Sequence, residues 1–421
     1  MILAEQVGVI PPCCPPAGGH KRSSAKIIHN LSKRHRLKIY MGSQKPISKD
    51  FKTLIGSDKL ILPLQYKTRY VTMIPLHKLK SDKDAAIELL DNRNFDGRQI
   101  IHDVLELDEK RKKTQQQLDE TLAEANRLSK QIGQYFKEGN EEKGNEVKAE
   151  STRLKEESHK LQEDLRQIQQ DIRDTLIDIP NIPHPHVPKG ASDEENEEER
   201  RGGPEATPME NGKPHWELAT ALGLINFEAG NKITGSGFPV YTGKGARVQR
   251  ALLNYFLDKA TEAGYQEYQP PLLVNEDTGF GTGQLPDKEG QMYQLKDENL
   301  YLIPTAEVPL TNYYRDTIVD EKELPLKMTA YTPCFRREAG SYGQHVKGLN
   351  RLHQFDKVEI VEIDHPDNSY DTLNRMIYYV ESLIKELGMP YRILKLCGGD
   401  LGFAAAITYD IEVFAPAQQK W

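Results

Sequence analysis

Residues 334–343 read CFRREAGSYG, and residues 351–363 read RLHQFDKVEIVEI. Two adjacent arginines and a glutamate follow a short apolar run, glycines open a loop, and the chain returns on an alternating strand. Arginine carries five donors in a planar fork that matches phosphate or carboxylate oxygens two at a time. Arg336 and Glu338 lie two apart, so on a continuing strand both point to one face. Phe355 and Glu359 lie four apart on the returning strand and share a face as well. An aromatic plane is a stacking platform for a nucleobase, and a carboxylate accepts from an amine or a hydroxyl. Together these groups could hold a nucleotide beside a small polar molecule. The plainer reading is a cross-strand ion-pair ladder over a core phenylalanine.

Other nucleotide devices are missing. The segment GFPVYTGKGA (237–246) fails the spacing of a phosphate-binding loop, and no G-x-G-x-x-G opens a helix. A nucleotide site must therefore be built from side chains on a sheet. The surrounding pattern supplies one. The segment 245–265 is an amphipathic helix with Val248, Leu252, Phe256 and Leu257 on one face. Strands are expected at 266–274, 300–308, 328–339, 355–363, 391–397 and 408–416, with a helix over 369–388. The order is not a strict alternation of strand and helix, so a mostly antiparallel sheet flanked by helices is expected, an α+β domain.

Upstream, residues 98–179 are charged and glutamine-rich, with apolar residues at steps of three and four. Leu118, Thr121, Ala125, Leu128 and Ile132 form one seam; Val147, Leu154, Leu161, Leu165, Ile168 and Ile172 form another. FKEGNEEKGN (136–145) separates them, with glycines where the chain can reverse. Two long helices in an antiparallel hairpin are expected, reaching roughly 60 Å at ~1.5 Å per residue. So narrow a structure suits reaching a distant partner, or serving as a spacer or dimerisation coil. Four prolines in 179–190 end it. The acidic run 192–203 reads as a solvated turn. Residues 1–72 are basic and aperiodic, either a disordered leader or an arm that touches RNA; 73–90 looks like a fresh start.

The chain has 421 residues, enough for two or more domains. Its net charge of −7 argues against coating nucleic acid through bulk charge. No apolar run is long enough to span a membrane, and no secretory signal is read. Cys13, Cys14, Cys334 and Cys397 form no C-x-x-C pair, so a reducing cytosol is the default. Ser341 and Cys334 have no partnered base in view, which disfavours them as nucleophiles.

The segment 332–343 with 348–363 resembles motif 2 of class II aminoacyl-tRNA synthetases, in the form carried by seryl-tRNA synthetase. PTAEVPL (304–310), PHWELATALGLI (214–225), GTGQLP (281–286) and 404–421 resemble the same family, as does the hairpin followed by IPNIPHPHVP. The resemblance spans about 73–421. It implies a leader (1–72), a tRNA-binding helical arm (73–186) and a class II catalytic domain (187–421). It implies a serine–tRNA ligase: ATP and L-serine give seryl-adenylate with Mg²⁺, and the seryl group passes to tRNA(Ser), with tRNA(Sec) open as a second substrate. Arg336 would hold the α-phosphate and the serine carboxylate. Arg337 and Arg351 would join the ATP site, Glu338 would accept from adenine, and Phe355 would stack on it. Thr305, Ala306 and Glu307 would take the serine ammonium, and Glu359 its hydroxyl. Pro270 would lie at the interface of a homodimer, and Lys110, Arg111, Lys112 and Lys113 would meet tRNA phosphates. A cytoplasmic enzyme is implied, with neither membrane nor DNA as partner.

In that family more sequence follows AQQKW, including a third motif with a second phosphate-binding arginine. A chain ending at Trp421 is therefore expected to be severely impaired, and removal of 1–72 is expected to leave tRNA binding unchanged. The rival reading is a tRNA-binding relative without catalysis. A class I synthetase is excluded by the missing HIGH and KMSKS signatures.

Overall fold

The computed structural model describes residues 74–421 apart from 289 and 339–346. The basic stretch 1–72 and Ser341 lie outside the described residues. Two short helices, α1 (Leu76–Ser81) and α2 (Lys83–Asp91), precede the hairpin, which is α3 (Arg98–Lys137) and α4 (Glu141–Leu176). Gly139 makes the reversal at φ +75°, a conformation that a Cβ disfavours, and the Asn140 side chain caps the first turn of α4. Both expected seams face inward: Leu118, Ala125 and Leu128 are buried on one helix, Leu154, Leu165, Ile168 and Ile172 on the other. The base is more than a two-helix seam. Leu79, Leu90, Ile101, Val104, Ile172 and Ile179 form one apolar core. Asp108 is fully buried there and is held by Lys80 and by Arg111 at 2.8 Å.

After the proline-rich segment come β1 (Glu197–Gly202), α5 (His215–Ala221), β2 (Ile225–Asn226), α6 (Phe227–Ile233), β3 (Val240–Tyr241) and α7 (Lys244–Glu262). They are followed by β4 (Gln266–Glu267), β5 (Leu273–Asn275), α8 (Glu276–Gly281), β6 (Tyr293–Gln294), β7 (Leu300–Leu302), α9 (Glu307–Asn312), β8 (Leu326–Phe335), β9 (Gln354–Ile363), α10 (Ser369–Glu386), β10 (Tyr391–Lys395) and β11 (Tyr409–Val413). The sheets are β4-β8-β9, β1-β10-β11, β5-β7-β6 and β2-β3. All pairings are antiparallel except β4 with β8. The β8–β9 ladder runs unbroken from Leu326 opposite Ile363 to Phe335 opposite Gln354. Helix α7 lies against β8 and β9, and α10 packs Ile377 and Ile384 onto Tyr391, Ile393 and Val413.

Three expectations change. The acidic run is not merely a turn, because its second half is the edge strand β1, paired with β10. Its charges are matched: Arg200 meets Glu381 at 2.9 Å, and Arg201 and Arg392 flank Glu198. Strand 266–274 is two strands, since the prolines at 270 and 271 supply no N–H for a continuous ladder. Strand 300–308 ends at Leu302, and α9 begins at Glu307.

Several side chains tie the hairpin base to the body, Arg93 with the most bonds among them. The Arg93 guanidinium, just past α2, donates to the carbonyls of Asn181, Leu401, Gly402 and Ala405 at 2.7–3.0 Å. Burial lowers its pKa to about 10, so it stays charged at neutral pH. Beside it Gly398 lies so close to the Asn92 carbonyl that a Cβ would come within 1.6 Å of the oxygen.

Candidate active site

The site is built on the open end of the β8–β9 hairpin. Phe355, Lys357 and Glu359 alternate on β9 and therefore share one face. Opposite them on β8 stand Cys334, Thr332 and Ala330, all buried. Small partners on that strand leave room above the sheet for the longer side chains of β9.

Strand β8 ends at Phe335, so strand alternation does not place Arg336 and Glu338. The backbone turns instead. The Arg336 N–H donates to the His353 carbonyl at 3.0 Å, the Arg337 N–H to the Gln291 carbonyl at 2.9 Å, and Glu338 adopts φ +48°. This left-handed turn is uncommon for glutamate, and the two arginines ahead of it have different backbone partners. Arg336 lies over the Phe355 ring, with its guanidinium carbon 5.0 Å from the centroid, a cation–π arrangement. Arg337 lines another cavity, with Glu276, Asp287, Tyr293 and Gln294. The structure does not bring Arg337 to Phe355.

Glu338 faces Arg351 at 3.4 Å. Both line, with Phe355, the mouth of a cavity of about 350 Å³ that continues between α7 and α10 over Leu252, Phe256 and Ile384. A flat heterocycle entering there would find an aromatic ring, a carboxylate acceptor and a guanidinium within one opening. At the other end of the face, Thr305 sits in the turn before α9. Its hydroxyl donates to Glu359 Oε2 at 2.6 Å and accepts from the Glu307 N–H at 3.2 Å. Glu307 remains open to solvent, yet the protein packed around it, and then the nearby Glu359, push its carboxyl above the usual range. Ala306 is fully buried and supplies backbone only. Pro270 lies apart from this cluster, between β4 and β5, on the far side of β8 in sheet order.

Sequence reasoning missed three contributors. Lys357 reaches Glu359 Oε2 at 2.5 Å and Thr305 Oγ1 at 2.9 Å; the alternation that picked out Phe355 and Glu359 would also have picked it out. His353 stacks on Phe238 at 5.3 Å, and its Nδ1 is 2.8 Å from Tyr293 Oη, which fixes the strand end beneath Arg336. His215 accepts from the Leu349 N–H at 2.8 Å and so anchors the loop that returns to β9. Burial lowers its pKa, which favours the neutral ring that this acceptor role requires. Spacing carries no signal for the last two, because their partners lie far off in sequence.

Residues 292–421 match the tRNA synthetase class II core domain (G, H, P, S and T), and residues 73–183 match the seryl-tRNA synthetase N-terminal domain. The hairpin-bearing fold is thus that of a class II aminoacyl-tRNA synthetase. The chain is 45% identical over 349 residues to the serine–tRNA ligase of Salinibacter ruber and 47% identical over 350 residues to that of Caldicellulosiruptor saccharolyticus, in each case over 83% of this chain and 82% of the relative. Among solved structures it resembles seryl-tRNA synthetase from Pyrococcus horikoshii complexed with ATP, with TM-score 0.75 and 30% identity over 82% of each chain. A cytoplasmic serine–tRNA ligase from Naegleria fowleri in complex with AMP superposes with TM-score 0.71 at 25% identity, again over 82% of each chain. The chain belongs to the serine–tRNA ligase family.

Proposed function

We propose that this chain activates L-serine with ATP and passes the seryl group to the 3′ end of tRNA(Ser). The observation that carries this reading is the continuous face from Phe355 to Glu359, with Arg336 above the ring and the Thr305–Glu307 turn at the far end. Adenine stacks on Phe355 and donates its amino group to Glu338, while Arg351 meets the outer phosphates. Arg336 takes the α-phosphate, where charge builds as the serine carboxylate attacks, so a fixed cation lowers the barrier. Glu307 takes the serine ammonium and Glu359 the hydroxyl. No side-chain nucleophile is required; positioning and charge stabilisation do the chemistry. Among the described residues no group of three His, Cys, Asp or Glu side chains could hold a metal. Mg²⁺ enters as the counter-ion of the substrate ATP.

The arm (73–186) grips tRNA, and the body (187–421) carries the chemistry. Lys110 and Lys113 make no ion pair among the described residues, which leaves them for phosphates, whereas Arg111 and Lys112 are engaged with Asp108 and Glu109. A homodimer forms around Pro270. Tyr268 and Tyr313 stack edgewise at 5.5 Å on that side, and Leu273, Tyr313 and Ile318 are exposed apolar side chains. Among the described residues no helix is long and apolar enough to cross a membrane; we place the activity in the cytoplasm.

The test is ATP–pyrophosphate exchange with and without serine. Exchange above the serine-free blank is expected, with Arg336→Ala lowering it by roughly 10²-fold. Exchange indifferent to serine, or unchanged in the variant, would sink the reading.

A further inference from the structure

We infer that Lys357 is a positioning residue for substrate specificity: it clamps one oxygen of Glu359 so that the other is presented to the hydroxyl of the bound amino acid. This deepens the function proposed above and rests on it.

The geometry is a closed triangle. Thr305 Oγ1 donates to Glu359 Oε2, Lys357 Nζ lies 2.5 Å from that same oxygen, and Lys357 Nζ also donates to Thr305 Oγ1. With the Glu307 N–H at 3.2 Å, the Thr305 hydroxyl has spent its one donor and both acceptor sites. It has nothing left for a ligand, so its service is internal. Two of these contacts, from Thr305 Oγ1 and Lys357 Nζ, converge on Oε2; Glu359 Oε1 makes no hydrogen bond among the described residues. A carboxylate held by one oxygen on two charge-assisted or short bonds cannot rotate, and its free oxygen points in one direction. That is what discrimination by a single hydroxyl needs. A loosely held carboxylate could turn its lone pairs to water and so tolerate a ligand lacking the hydroxyl.

Charge leads to the same residue. Burial, and then the nearby Glu359, push the Glu307 carboxyl up, and Lys357 opposes this. Without the ammonium, two carboxylates would share a half-enclosed site, and one would tend to keep its proton. Lys357 and Glu359 are two apart on one strand face, so no mobile loop intervenes between clamp and carboxylate.

The experiment measures binding of two non-hydrolysable sulfamoyl adenosines, one seryl and one alanyl, to the full chain and to Lys357→Met and Lys357→Arg. The wild-type chain should prefer the seryl compound. Lys357→Met should weaken the seryl compound by about tenfold or more while moving the alanyl compound less than about threefold, and Lys357→Arg should recover part of the preference. Equal loss for both compounds would assign Lys357 a merely structural part and overturn the inference. Tighter binding of both would make its ammonium a competitor for the ligand's own and would likewise overturn it. Binding of neither compound by the wild-type chain would overturn the functional reading itself, a result distinct from a wild type that binds seryl adenosine and a methionine variant that binds it equally well.

Discussion

Glu307 sets two demands against each other. Its carboxyl is raised by the protein around it and by Glu359, so the fold favours the protonated form, whereas capture of an ammonium needs the anion. A raised carboxyl contributes stability that is complete at low pH and disappears as pH rises through the folded value. Glu307→Gln should therefore raise the thermal midpoint at pH 7.5 and leave it nearly unchanged at pH 4, while weakening serine binding. A midpoint that falls at pH 7.5 would contradict this cost. Much of the site was legible at this scale. Phe355 and Glu359 could be paired from a period of two, because β9 is straight and regular over its length. Arg336 and Glu338 could not be placed in the same way. Their relation depends on where β8 stops and on a left-handed turn at Glu338, and neither is encoded in spacing.

The hairpin was readable because its seams repeat over many turns. Strand β1 was not, because a run of Glu and Arg has no apolar face and owes its place to specific partners. Burial alone would raise Glu381, yet Arg200, Tyr391 and Lys385 hold its carboxyl down at about 2. Arg200 is on β1 and Tyr391 on β10, so this one carboxylate on α10 binds helix, edge strand and central strand together. A depressed carboxyl contributes stability that is full above the ordinary glutamate value and is lost as pH falls toward the folded one. The wild type should lose thermal stability steadily between pH 4.5 and about 2. Glu381→Gln should be less stable at pH 7, with the difference closing near the acid end. A gap of constant size across that range would mean that the ion pairs are idle.

At the scale of the molecule, Arg93 connects what tRNA would touch to what serine would touch. Its four carbonyl partners come from the segment after α4 and from the loop before β11, while Lys288 meets Asp178 at 2.8 Å a short way off. Arg93→Met would leave three partly buried carbonyls without this donor, each costing up to roughly 1–3 kcal/mol. Amide exchange across 398–406 should quicken, and tRNA charging should fall further than serine-dependent pyrophosphate exchange. Equal losses in the two assays would deny Arg93 any part in aligning arm and body. Finally, β1 has a bearing on how the chain is made. Glu197 finds its partner at Lys395, so during synthesis this strand leaves the ribosome long before anything exists for it to pair with. An oily strand waiting that long would invite aggregation, and one dressed in three carboxylates and two guanidiniums can wait in water unharmed.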